Sequence, residues 1–214
     1  MIEELKKTYK KVALDYYAND NSLHSLGFNS KKLEDTATKQ IIDCLGLVNK
    51  EIVYTSDKSE ADTLCIFGYL NKHLNNKHVI VEKGVNDSII ESLKVLENNG
   101  FSFSVVDKFS LDCIKENTVL ICFKNDASFD DKDIKTYIDF NDCDIKNINN
   151  YSFISLGLDD ISNYLGIACL IKNKNIVLEP VIHGGKSTTI YRGGTPVLPS
   201  IVTFSKAIKL MYKK

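Results

Sequence analysis

The turn Thr55-Ser56-Asp57-Lys58-Ser59 holds the densest chemistry in this 214-residue chain. Two hydroxyls, Ser56 and Ser59, stand just ahead of a stretch that reads as a helix. Backbone N–H groups at a helix N-terminus favour an anion. Ser56, Ser59 and the Lys58 ammonium therefore form a candidate anion seat, while Asp57 sets a like charge beside it. A second polar segment runs from His183-Gly184-Gly185-Lys186 to Tyr191-Arg192-Gly193-Gly194-Thr195. Its glycines suit backbone turns, Lys186 and Arg192 could add anion contacts, and His183 reads as a packed or hydrogen-bonded loop residue. Asp139 stands alone in Tyr137-Ile138-Asp139. Isolated carboxylates are usually surface charges, so it is expected at a solvated strand end. The four histidines and six cysteines lack metal-ligand spacing. Cys44, Cys65, Cys122 and Cys169 sit in apolar runs and read as buried thiols in a reducing compartment.

Helix and strand patterns alternate around these residues. Periodic Leu5, Tyr9, Val12 and Tyr16 predict an opening helix over 1–17, and Leu33, Ala37, Ile41 and Leu45 one over 30–45 stopped by Gly46. The Ser56–Ser59 turn leads into a helix through Leu64, Phe67, Leu70 and Leu74, and Asn86 or Asp87 caps another that Gly100 closes. Strands are expected at 51–55, 78–82, 101–106, 119–123, 137–139, 151–156 and 167–171. A last helix aligns Ile201, Phe204, Ile208 and Met211 and ends in Lys209, Lys213 and Lys214. This order predicts an α/β three-layer sandwich on a mostly parallel sheet. Between Asn125 and Asn150 the chain is polar and weakly periodic, so its units look shortened there. The Asp130–Asp133 run reads as a solvated connection.

Bulk properties narrow the function classes. With 43% hydrophobic residues, 1–214 can bury one domain's core. The 27 basic and 28 acidic residues are interspersed, so no stripe points to nucleic acid. No apolar run approaches the ~18 residues of a membrane span. A cytoplasmic protein is expected.

Taken in order, several segments resemble the cysteine desulfurases (NifS/IscS-like), pyridoxal-phosphate enzymes of the class V aminotransferase family. They are Asn21–Gly27, Thr55–Asp62, Leu93-Lys94-Val95-Leu96-Glu97, Gly100-Phe101 and the ungapped His183–Thr195. The resemblance runs from about Tyr17 to Lys209. It implies the large, cofactor-binding domain of that family in reduced form, without its N-terminal strand and its C-terminal small domain.

Carried over residue by residue, the resemblance leaves degenerate remnants of a cofactor site. Ser56 and Ser59 hold the phosphate turn. Asn86 replaces the ring-stacking histidine, and Asn125 corresponds to the family's asparagine. Asp139 falls where the pyridine nitrogen is paired, and Asp142 replaces its helper glutamine. Thr195 falls where the family reaches a partner's phosphate across a dimer, and Asp160 falls on the Schiff-base lysine. A carboxylate cannot form a Schiff base, and no cysteine matches the family's nucleophile. The resemblance therefore implies no catalytic residue and no bound cofactor. It leaves a non-catalytic protein acting as a homodimer or on a partner in sulfur or iron–sulfur metabolism, such as an intact desulfurase or a sulfur acceptor. Two other readings stay open: an enzyme completed by another chain, and an anion-binding module. A substitute lysine at 58 or 186 is the route by which chemistry could return.

Overall fold

Side chains of a strand alternate between faces, and here both faces are apolar, which calls for helices on each side. The computed structural model describes residues 1–19, 22–73, 77–162, 166–185, 188–195 and 197–212. Among these, seven strands form one sheet: β1 (Lys50–Thr55), β2 (His78–Glu82), β3 (Ser102–Val106), β4 (Thr118–Phe123), β5 (Lys135–Asp139), β6 (Phe153–Gly157) and β7 (Ala168–Asn173). Their spatial order is β1-β7-β6-β5-β4-β2-β3. The pairs from β6 across to β3 are parallel, and β7 runs antiparallel to both β6 and β1.

Helices α1 (Ile2–Asp15), α2 (Ser25–Leu45) and α6 (Leu198–Tyr212) cover one face. There Leu5, Ile41, Phe204 and Ile208 meet Ile121, Ile138, Ile154 and Ile171. Helices α3 (Lys58–Leu70) and α4 (Asp87–Glu97) cover the other, where Leu64, Ile66, Ile89 and Leu93 meet Val79, Val81, Leu120, Phe153 and Leu170. The three-layer, mostly parallel architecture is thus as expected.

Several boundaries differ for local reasons. Helix α2 begins at Ser25, not Ser30, because His24 caps it and its ring accepts the Gly27 N–H. It ends as expected at Gly46, whose φ of 62° lets the Leu47 N–H reach the Ile42 carbonyl. Asn86 holds the N-cap position of α4, yet its side chain makes no cap; it turns to two carboxylates instead. Met211 is 52% exposed, so the stripe of α6 ends at Ile208. The connection from β4 to β5 carries no helix, in keeping with the shortened pattern, and its Asp130–Asp133 run is exposed. Cys65, Cys122 and Cys169 are buried, whereas Cys44 is only half-buried. Asn21, Leu74, Lys186, Lys213 and Lys214 lie outside the described residues.

Lys50, at the start of β1, is 2% exposed and donates to the Tyr151 carbonyl and to Asn173 Oδ1. Burial pushes its pKa down from 10.5 to about 8. Between those values the unfolded chain binds a proton that the folded chain lacks, so this lysine makes stability rise with pH there. Subtracting the urea-melt stability of Lys50→Met from that of wild type should therefore give a difference that rises between pH 8 and 10.5. A flat difference would show that Lys50 is solvated.

Candidate functional site

In open α/β sheets, ligands bind outside the carboxyl ends of the strands. Here those ends converge on a buried ion-pair cluster. Lys58, the first residue of α3, follows the end of β1. Its ammonium lies 2.8 Å from Asp139 Oδ2, at the end of β5, and 2.8 Å from Asp160 Oδ1, just past β6 in the short helix α5 (Asp159–Ser162). The side chains of Lys58, Asp139 and Asp160 are 20%, 7% and 3% exposed. Asp139 is therefore not the solvated strand-end group expected of it: a cation and an amide draw it inward. Asn86 donates to Asp139 at 2.8 Å and to Asp62 at 3.1 Å. Asp62, fully buried, also accepts from Ser88 at 2.6 Å and from the Tyr137 hydroxyl at 2.5 Å. Asn141 and the Gly157 N–H hold Asp160.

Charge in this cluster is decided by pairing against burial. Burial works against the Lys58 ammonium, but hydrogen bonds and the charges of Asp139 and Asp160 outweigh it, and its pKa is raised. Lys58 is therefore a held cation. Asp160 and Asp62 are raised above the ordinary carboxylate range because burial exceeds the relief from their hydrogen bonds.

The Ser56–Ser59 turn is satisfied from within the chain. Asp57 caps α3 and accepts the Glu60 N–H at 2.8 Å. The Glu60 carboxylate accepts from the Ser56 N–H at 2.8 Å and the Ser56 hydroxyl at 2.6 Å. Arg192 reaches across from the distant loop and donates to Glu60 from Nε at 2.5 Å and from Nη2. Burial would raise Glu60, but Arg192 and Ser56 prevail and lower its pKa. Arg192 and Lys58, expected as contacts for an external anion, are thus both engaged with the chain's own carboxylates. Ser59 is exposed at the helix start.

The remaining sequence candidates disperse. Asn125 is exposed and gives only its N–H to the buried Glu82. Asp142 pairs with Lys124 at 2.7 Å. Thr195 accepts from Asn19 at 3.2 Å within the chain. His183 is exposed, not packed, because its loop stays at the surface. Gly193 serves close backbone approach, since a Cβ there would lie 2.6 Å from the Gly184 nitrogen. Lys186 lies outside the described residues. Among those residues no group of three His, Cys, Asp or Glu is placed to hold a metal, and no helix is long and apolar enough to cross a membrane. Burial pushes the Cys143 thiol up to about 12.

Sequence reasoning missed Asp62, Tyr137, Asn141 and Glu60 as parts of the site. Two signals were present: the Asp57-x-x-Glu60 spacing of a capping box, and a carboxylate at Asp62 between Ala61 and the apolar Leu64-Cys65.

No family model matches the chain. The cysteine desulfurase IscS of Archaeoglobus fulgidus is 24% identical to it over 229 residues, covering 94% of this chain and 60% of the relative. That of Methanosarcina thermophila is 25% identical over 225 residues, covering 91% and 55%. A structure of SspA in complex with cysteine superposes with a TM-score of 0.84 at 25% identity, over 97% of this chain and 69% of that one. The chain is cysteine desulfurase-like in sequence and in fold. A NifS-like protein gives a TM-score of 0.85 at 18% identity, over 97% and 66% of the two chains. The chain spans about 60% of the length of the desulfurases it matches.

Pyridoxal phosphate, the cofactor of the family that the chain resembles, does not fit the residues present. The carboxylate assigned to its ring nitrogen, Asp139, already holds the Lys58 ammonium. The turn assigned to its phosphate already holds the carboxylates of Asp57 and Glu60.

Proposed function

We propose that this chain is a non-catalytic cysteine desulfurase-like protein that acts by binding. One observation carries the reading: a single ammonium, Lys58, lies between Asp139 and Asp160, which the resemblance sets at the ring and lysine positions. A nucleophilic amine must present a free lone pair, and here pairing with two carboxylates favours the charged form. Near-attack geometry is equally lacking, because the ammonium points at carboxylates. No tight cofactor is expected.

The test is direct. Purified protein is incubated with excess pyridoxal phosphate and cysteine, sulfide is measured, and borohydride-reduced protein is mapped by mass spectrometry. No sulfide and no stoichiometric adduct are expected. Sulfide release together with an adduct at Lys58 or Lys186 would overturn the reading.

The binding partner in this reading is first a second copy of the chain, in the cytoplasm. Val181, Ile182, Ile190 and Val197 are 40–80% exposed around the loop that carries Thr195, and symmetric pairing is the commonest way to cover such surface. An intact desulfurase or a sulfur-accepting scaffold is the other partner it fits. Sedimentation at micromolar concentration should give a dimer that Ile190→Asp weakens. A wild-type monomer would remove the homodimer from the proposal.

A further inference from the structure

The carboxylates around Lys58 are held by groups other than Lys58. Asp139 Oδ1 accepts the Asn141 N–H at 2.9 Å, and its Oδ2 accepts Asn86 at 2.8 Å. Asp160 Oδ2 accepts the Gly157 N–H at 2.8 Å, and its Oδ1 accepts Asn141 Nδ2 at 2.6 Å. The seat is thus oriented by α4, the turn after β5 and the end of β6, while its occupant arrives from α3. Gly157 lies beside the occupant's stem: a Cβ there would stand 2.1 Å from Asp159 Oδ1 and 3.2 Å from Lys58 Cγ, so its bareness makes room chiefly for the Asp159 carboxylate and only secondarily for the lysine. Asp62 joins them through Asn86, so three buried carboxylates share a network in which Lys58 supplies the paired cation.

We propose that Asp139 and Asp160 form a binding site for a primary ammonium ion, and that Lys58 is its tethered ligand. The same contact shuts the cofactor's ring end, so the inference deepens the non-catalytic reading and rests on it. An –NH3⁺ group suits the seat because it can direct separate N–H bonds at the two carboxylates. A quaternary ammonium has no such donors.

Chemical rescue tests this. Lys58→Ala removes the tethered ligand and leaves the seat open. Its thermal melting is followed in ethylammonium chloride, tetramethylammonium chloride and sodium chloride at equal concentration. Ethylammonium alone should stabilise the variant, by about tenfold in the folding constant at roughly ten times its dissociation constant. Lys58→Met, whose side chain keeps the space filled, should gain nothing from ethylammonium beyond the sodium control. Equal stabilisation by all three salts, or by none, overturns the proposal. If Lys58→Ala does not fold alone, refolding yield is the readout: recovery in ethylammonium only supports the site, and no recovery in any salt overturns it. Sulfide release by the wild type would instead strike the non-catalytic reading, so the two failures are distinguishable.

Discussion

Replacing Lys58 by methionine should cost about 3–5 kcal/mol of folding stability, the range for breaking a buried ion pair on one side. Asp139 and Asp160, 7% and 3% exposed, would be left as facing buried carboxylates. Removing one of those charges should recover part of the loss, so Lys58→Met/Asp160→Asn is expected to be more stable than Lys58→Met. The pH dependence gives a second check. Without the lysine, Asp160, already raised by burial, loses the pairing that offsets it, so its folded pKa should stand further above its unfolded one. Its protonated form then favours the fold, and that contribution is lost as pH rises through the folded value. The deficit of Lys58→Met should therefore narrow below neutral pH. Urea melts across pH measure both effects. A deficit under 1 kcal/mol, or one independent of pH, would mean that the cluster is hydrated and screened.

Asp62→Ala should be nearly as damaging, at roughly 3 kcal/mol or more, because it strips an acceptor from three donors at once. Tyr137, Ser88 and Asn86 all point at this fully buried carboxylate. Tyr137→Phe removes one donor from the other side of the same network. It should cost less, about 1–2 kcal/mol, since Ser88 and Asn86 still hold Asp62. Circular-dichroism urea melts of the two variants rank them. Equal losses would show that the tyrosine hydroxyl dominates the network, and a neutral Asp62→Ala would show that water replaces the carboxylate. Asn86 belongs to both clusters, so Asp62→Ala and Lys58→Met should be non-additive.

The ends of the elements show why some features were legible and others were not. Gly46 stops α2 through its own backbone freedom, and the β2 boundaries at His78 and Glu82 follow from one apolar run between polar residues. Both are local, and the sequence states them directly. Asn86 looks equally local, a good cap before an apolar-periodic run. Yet its side chain leaves the cap because two carboxylates, one 24 and one 53 positions away, offer more. Asp139 failed in the same manner: a lone carboxylate in sequence became a buried partner once β5 and β1 ended at the same edge.

From the sequence alone came the α/β layering, the likeness to cysteine desulfurases and the carboxylate at position 160. Each depends on residue type and on order along the chain, which periodicity and collinear motifs carry. Only the tertiary structure decided that Lys58 meets Asp139 and Asp160, and that Arg192 closes onto Glu60 across 132 positions. Those pairings depend on which strand ends become neighbours, and the order β1-β7-β6-β5 is a product of packing both faces of the sheet. A charge keeps its sign in the sequence, but its partner, and so its chemistry, is set by the distance that folding imposes.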